Sequence, residues 1–554
     1  MRAVCGPACR AENRRPPRRY PPRMPRILLV EPVAAAGIDL LAASHQTHVR
    51  LDLKRPELLR LLADGEGYDA LVVRSQTRVD AELLAAATPR LSVVGVASVG
   101  TDRIDLAAAT RAGVMVVNAP TGNTIAAAEH TVALMLSLLR RIPRADASVR
   151  EGRWDRSALT GSELRGRTVG IIGLGRIGKA VARRVAAFEA RVLAYDPYLI
   201  ADQATEASAR LVGLPELLLR ADIVTVHTPL TRATRGLVGR AAIEAMKPGA
   251  YLLNVARGGI VDETVLAEAL TEGRLGGAAL DVYSAEPLAA DSPLRATPNT
   301  ILTPHLGAST REAQDRVGVE MAEQVVLALS GVTPPYAINA PAVALDVAPR
   351  LRPFVELARR LAIVARQLGS GPFDGVGLTY AGEIAAHETA PIRTAALGGL
   401  LEPVTDQRVN AVNADLVARE RGLTVSETRT DAVEAWTSLL TLEAGGLRLS
   451  GATAHGRPRL TALNGFSLDA ELAGRMLVTR HHDRPGIVGT VGTLLAQAGV
   501  NISSLELSRL SAAGEAAMLV SVDQSIPPAV LAGLERIPGV REVRVLELPI
   551  LPGG

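Results

Sequence analysis

VGIIGLGRIG, residues 169–178, decides the fold. A β-branched apolar run ends at Gly173, and Gly173, Gly175 and Gly178 then follow in G-x-G-x-x-G spacing, opening the helical stretch KAVARRVAAF. Each glycine has its own task in a strand–turn–helix that grips a pyrophosphate. The first permits the tight turn, the second lets phosphate approach the backbone, and the third lets helix and strand pack closely. The N-terminus of the following helix offers N–H donors and the positive end of its dipole. Asp196 ends the next apolar run, RVLAYD, 23 residues after Gly173. An acid at that place hydrogen-bonds both ribose hydroxyls and repels a 2′-phosphate, so the sequence predicts NAD rather than NADP.

Outward from this turn, short apolar runs alternate with helical stretches. TVGIIG, RVLAYD, DIVTVH, AYLLNVA, AALDVY and NTILTPH read as strands of one parallel sheet, with helices such as LPELLLR and DETVLAEAL between them. An earlier series reads the same way: RILLVEP, THVRLDL, DALVVRS, LSVVGVAS and VMVVNAP. Such alternation implies parallel sheets covered on both faces. A long helix near 125–142 is expected to bridge the two series, and a helix at about 310–330 to return the chain to the first. Residues 342–470 are less regular, with strands GVGLTY, GLTVSET and GGLRLSG and two or three helices. Residues 475–548 read βαββαβ, a ferredoxin-like module.

Composition sets outer bounds. A chain of 554 residues with 48% hydrophobic and 21% charged residues has material for three to four cores and is not mainly disordered. The most apolar stretch, TIAAAEHTVALMLSLL, is broken by Glu129 and His130, so no membrane span is expected. The net charge of +4 hints at nucleic acid, but residues 1–23 alone hold seven Arg against one acid. That local +6 leaves the rest at −2, and the nucleic-acid reading falls. Cys5 and Cys9, the chain's two cysteines, lie in the same segment, so the remainder is not a disulfide framework and no metal site is expected. Residues 1–24 read as a disordered extension.

Three polar residues fall at the ends of strands of the second series, where open α/β sheets place their ligands. Arg257 follows AYLLNVA, Glu286 follows AALDVYSA, and His305 ends NTILTP. Oxidising a 2-hydroxy acid needs a base for the hydroxyl proton, and His titrates near neutrality. It also needs a planar cation for the carboxylate, which Arg supplies. A carboxylate beside the His would orient it.

NVARGGIVDE (254–263), ALDVYSAEP (279–287) and TPHLGAST (303–310) resemble the signature segments of the D-isomer-specific 2-hydroxyacid dehydrogenases. VNAPTGNTIAAAEHTVALML (117–136) and RWDRSALTGSELRGRTVGIIGLGRIG (153–178) resemble the phosphoglycerate branch of that family, in its long form with two extra domains. The resemblance implies a Rossmann-type NAD domain (123–309) inserted in a flavodoxin-like substrate domain (25–122 and 310–340). An α+β intervening domain (341–472) and a ferredoxin-like ACT domain (473–554) would follow. It implies His305 as acid/base, Glu286 as its partner and Arg257 as substrate anchor. Arg176, Ile177, Asp196, Thr228, Ala256 and Asp281 would touch NAD, with Asp281 on the nicotinamide amide. Asn118 and the 122–124 turn would line the interdomain cleft. Arg74 is the expected phosphate ligand. Many members carry Arg where this chain has Val96, which throws more of the phosphate recognition onto Arg74, or onto Arg153 or Arg156.

HHDRPGIVG, followed by GVN, resembles the hallmark turn of ACT domains, which bind amino acids between paired copies. The resemblance implies L-serine as effector, with Asp483 on its ammonium and Asn501 on its carboxylate or on backbone groups of the neighbouring chain. The expected partners are therefore a small-molecule substrate and serine, in a cytoplasmic homo-oligomer (dimer or tetramer). Two other readings share the fold: a glyoxylate or hydroxypyruvate reductase, and a dinucleotide-sensing co-repressor without catalysis. The first is usually built without the two C-terminal domains. The second calls for a DNA-binding or docking segment, and none is visible.

Overall fold

The computed structural model describes residues 24–550 except 65, 344, 345, 370, 372, 406, 407 and 434. The expected extension and both cysteines thus lie outside the described residues, save Met24, which is exposed. The first sheet contains β1 (Arg26–Leu29), β2 (Gln46–Val49), β3 (Ala70–Val73), β4 (Val93–Val96) and β5 (Met115–Asn118). All are parallel, in the order β2-β1-β3-β4-β5, the flavodoxin-like arrangement. β3 and β4 are buried at every residue, as strands covered on both faces must be. Helix Arg311–Leu329 returns to this sheet as expected: Val317, Met321, Ala322 and Val325 join Ile27, Leu29, Val72 and Val93 in one apolar core.

The second sheet holds β6 (Thr168–Ile172), β7 (Arg191–Tyr195), β8 (Arg210–Leu211), β9 (Ile223–Val226), β10 (Tyr251–Asn254), β11 (Gly277–Leu280) and β12 (Thr300–Leu302). Its order, β12-β11-β10-β9-β6-β7-β8, reverses direction at β6, so the glycine turn sits at the topological switch point. The bridging helix is shorter than expected. It spans Thr124–Leu139, and after a left-handed Arg141 (φ 54°) a separate helix, Ile142–Arg150, starts with Pro143 in its first turn. Proline has no N–H to give to the preceding turn but fits a helix start, which explains the break.

The third sheet has twice the expected number of strands: β13 (Gly375–Gly382), β14 (Thr424–Thr430), β15 (Ser438–Ala444), β16 (Leu447–Ala454), β17 (Arg457–Leu463) and β18 (Phe466–Glu471). β15 to β18 form a meander closed by two-residue turns. The C-terminal sheet is antiparallel, with β19 (Arg475–His482), β20 (Ile502–Arg509), β21 (Glu515–Val522) and β22 (Val540–Glu547) in the order β20-β21-β19-β22. With helices Ile487–Gln497 and Pro528–Glu535, that is the expected ferredoxin-like βαββαβ fold. Met476, Val478, Leu519 and Leu546 from this sheet enter the core of the preceding one, so the two C-terminal units share apolar packing. No described helix is long and apolar enough to cross a membrane.

A candidate active site between two parallel sheets

The C-terminal edges of the first two sheets border one cleft of about 770 Å³. From the first sheet it is lined by Glu31, Arg74, Ser98 and the Gly100–Ile104 loop, and from the second by Arg257, Tyr283, Glu286 and His305. The three residues expected to do the chemistry therefore meet. His305 Nδ1 lies 2.9 Å from Glu286 Oε2, and both side chains are about half-exposed to the cleft. Glu286 Oε1 accepts from Tyr283 N at 3.1 Å, which fixes the carboxylate. With Nδ1 engaged, Nε2 is the nitrogen left for a substrate proton.

Arg257 is aimed by Asn254, which the sequence reading missed. Asn254 is buried, accepts from Ala256 N at 3.1 Å and donates to the Arg257 carbonyl at 2.9 Å, folding the turn after β10. The guanidinium crosses the cleft to Asp102, with Nε 3.1 Å from Oδ2. Asp281, fully buried, holds the loop that carries His305. One oxygen accepts from Leu306 N (2.7 Å) and the Thr303 hydroxyl (2.6 Å), with His130 Nε2 at 3.2 Å; the other accepts from Gly307 N (2.8 Å). Burial alone would raise its pKa, but these donors hold it below the usual carboxylate range. His305 itself adopts φ 57°, and a non-glycine residue there relies on such surrounding restraint. Tyr283 is a fixed tie rather than an acid: burial pushes it up to about 12, and its hydroxyl donates to the Leu280 and Thr303 carbonyls.

The glycine turn has the shape a pyrophosphate needs. A Cβ at Gly178 would collide with the Gly173 carbonyl, and one at Gly173 would lie 2.7 Å from the His227 carbonyl. At Gly175 nothing lies within 4 Å, and helix Arg176–Ala187 starts there with no side-chain cap on its N–H groups. Asp196 is drawn to the turn, accepting from Leu174 N at 2.9 Å. Thr228 Oγ1 is buried beside the turn without a hydrogen-bond partner. An open backbone cradle, uncapped N–H groups and an unpartnered hydroxyl are the features a dinucleotide would complete.

Arg74 reaches the cleft as expected, but three other expectations do not. Asn118 is buried and donates to the Val99 carbonyl at 2.7 Å, so it braces the Ser98–Thr101 loop instead of lining the cleft. Asn123, in the following turn, does line it, and its Oδ1 has no partner. Arg153 is held by Glu151 and Asp155, and neither it nor Arg156 borders the cleft. Glu31, also unforeseen, is buried under the Arg74 loop and accepts from the backbone N–H of Ser75, Gln76 and Thr77 at 2.8–3.0 Å. At the ends of the fourth sheet's strands, Asp483 accepts from Arg509 at 2.9 Å and Asn501 donates to Asp523 at 2.6 Å. No group of three metal-ligating side chains occurs among the described residues.

Known proteins carry the same organisation. Residues 132–307 match the NAD-binding domain of the D-isomer-specific 2-hydroxyacid dehydrogenases. Residues 350–461 match the D-3-phosphoglycerate dehydrogenase intervening domain, and 475–539 match the ACT domain. A D-3-phosphoglycerate dehydrogenase of Archaeoglobus fulgidus is 40% identical over 530 residues, 94% of this chain and 100% of that protein. One from Mycobacterium tuberculosis is 41% identical over 532 residues, covering 95% and 99%. The chain belongs to the D-3-phosphoglycerate dehydrogenase family. Among solved structures, an NAD-dependent formate dehydrogenase from Staphylococcus aureus in complex with NAD is 31% identical with a TM-score of 0.52. It matches 57% of this chain and 100% of its own. The second sheet with its glycine turn is thus an NAD-binding domain. The intervening and ACT domains set this dehydrogenase apart from a reductase that ends after the catalytic pair.

Proposed function

We propose that the chain oxidises D-3-phosphoglycerate to 3-phosphooxypyruvate, with His305 as acid/base, Glu286 as its carboxylate partner and Arg257 as the substrate-carboxylate anchor. The observation that carries this reading is the joining of His305 to Glu286 at 2.9 Å, in one cleft with Arg257, in a chain of this family. Gly173, Gly175, Arg176, Ile177, Gly178, Asp196, Thr228, Ala256 and Asp281 would hold NAD, which when bound accepts the hydride from C2. Arg257 exchanges Asp102 for the substrate carboxylate and draws electron density from the C2 oxygen. His305 Nε2 takes the C2 hydroxyl proton, and Glu286 stabilises the imidazolium that results. Since His305 is half-exposed, its proton leaves to water when product departs.

We propose the domain division 25–122 with 310–340 for substrate, 123–309 for NAD, 341–472 intervening and 473–554 ACT. We further propose feedback by L-serine between paired ACT domains, in a cytoplasmic homo-oligomer. Asp483 already accepts a cationic donor, Arg509, and a serine ammonium would compete for the same carboxylate. Exposed Ile142, Val149 and Trp154, on and just after helix Ile142–Arg150, offer apolar surface for a subunit contact. The test is NADH formation from D-3-phosphoglycerate with and without millimolar L-serine. No turnover of phosphoglycerate, alongside turnover of glycerate or glyoxylate, refutes the substrate; unchanged rates with serine refute the effector.

A further inference from the structure

Arg103 brings into the cleft a positive charge that no described residue pairs with. It stands in the loop between β4 and helix Leu106–Arg111, and that loop is fixed on either side of its side chain. Val79 N donates to the Arg103 carbonyl at 3.0 Å, and Asp105 caps the helix by accepting from Ala108 N at 2.9 Å. The side chain lines the cleft and makes no hydrogen bond or ion pair with any described residue. Arg74, at the end of β3, is in the same position.

The other charges of the cleft are matched locally. Glu31 is held by three backbone N–H groups, Glu286 by His305, and Asp102 by Arg257. Val96, at the end of β4, is 1% exposed and offers the cleft only an apolar surface. Among the described residues lining the cleft, the cations without a partner are therefore Arg74 and Arg103. A phosphorylated 2-hydroxy acid brings a carboxylate, which Arg257 can take, and a phosphate of nearly two charges. Guanidinium groups, with planar paired donors, suit that phosphate best.

We propose that Arg103 is the second phosphate-binding residue, acting with Arg74 to set the preference for phosphorylated over plain 2-hydroxy acids. The inference rests on the phosphoglycerate reading above and assigns the residue that makes that reading selective. Because the Arg103 side chain has no partner, Arg103→Met leaves folding untouched, and an unchanged Tm checks this. Wild type and variant are compared for kcat/KM on D-3-phosphoglycerate and on D-glycerate. The expected result is a roughly 10- to 100-fold loss on phosphoglycerate, mostly in KM, the size of a charged hydrogen bond. The rate on glycerate stays within about twofold, and Arg103→Lys recovers part of the loss. A variant that keeps the wild-type preference, or loses both substrates equally, overturns the role of Arg103 while leaving phosphoglycerate as substrate. A wild-type enzyme without preference for the phosphorylated acid overturns both.

Discussion

Replacing Thr228 by Val separates what the NAD site does for the cofactor from what it costs the empty protein. Thr228 Oγ1 is buried and unpartnered, while its methyl packs on the glycine turn, 2.7 Å from where a Gly173 Cβ would stand. Valine keeps that methyl and exchanges the hydroxyl for a second one, so shape is conserved and one polar group vanishes. A buried hydroxyl without a partner costs about 1–3 kcal/mol. Its removal should therefore stabilise the cofactor-free protein by about 1 kcal/mol, raising Tm by roughly 2–4 °C for a domain of this size. The cofactor complex moves the other way. If the hydroxyl donates to bound NAD, its loss removes a neutral hydrogen bond of about 0.5–1.5 kcal/mol, weakening affinity about 2- to 12-fold. Fluorescence titration with NADH and thermal unfolding without cofactor read the two effects on the same preparation. Unchanged NADH affinity refutes the contact with cofactor. A lower Tm in the cofactor-free variant refutes the claim that the hydroxyl is an unsatisfied group.

Further substitutions probe the chemistry, the pH response and the C-terminal fusion. His305→Ala should lower kcat by about 10²–10⁴ if His305 moves the proton, with little change in Tm because the ring is half-exposed; a near-wild-type rate removes it from that role. Glu286→Gln keeps a partner for the imidazole but not the charge, so kcat should fall by at least about tenfold while KM holds, and a KM effect alone would mean that Glu286 contacts substrate instead. His227 is pushed down to about 4 by burial, so it folds neutral. Its contribution is complete above the unfolded value near 6.5 and is lost as pH falls toward 4. His227→Gln should flatten that acid limb of a denaturation series by roughly 2–3 kcal/mol, and an unaltered limb contradicts the burial. Arg360, 1% exposed, donates to the carbonyls of Leu472, just before β19, and Pro549, just after β22, tying helix Ala348–Leu368 to the chain where it enters and leaves the C-terminal sheet. Arg360→Met should cost about 2–4 kcal/mol in urea unfolding, since the buried Leu472 carbonyl and the part-buried Pro549 carbonyl lose a charged donor; a loss below about 0.5 kcal/mol would mean water replaces it.

How much could be read from the sequence depended on how local each signal was. The two parallel sheets declared themselves because strands buried on both faces read as unbroken apolar runs, and because the turn at Gly173 ties residue type to backbone shape. The meander from β15 to β18 also carried a local signal, but it went unread. Its turns are Gly445-Gly446, His455-Gly456 and Asn464-Gly465, each with both central residues at positive φ. Asn-Gly between short strands is the strongest hairpin sign there is. The strands themselves, such as RPRLTAL, mix charge with small residues and hid the pattern. Residues placed by motif, His305, Glu286, Arg257 and Arg74, did arrive in the cleft. Those whose part depends on a distant partner did not show. Glu31 matters only because the 74–77 loop folds over it, Asn254 only because of its hydrogen bonds around the next turn, and Arg103 only because its side chain stays unpaired.

The same distinction bears on how the cleft takes a carboxylate. Arg257 comes from the second sheet and Asp102 from the first, so their 3.1 Å ion pair spans the cleft between the two domains. The pair is partly exposed, Asp102 more than Arg257, and exposed ion pairs contribute little, about 0–1 kcal/mol. A substrate carboxylate can therefore displace Asp102 at small cost. Asp102 keeps the guanidinium where the substrate will meet it. Its neighbour Arg103 stays unpaired, so one loop presents a spent charge and a free one side by side. A carboxylate can win the first and a phosphate can claim the second, which is how a cleft with as many acids as arginines can still select a substrate of nearly three negative charges.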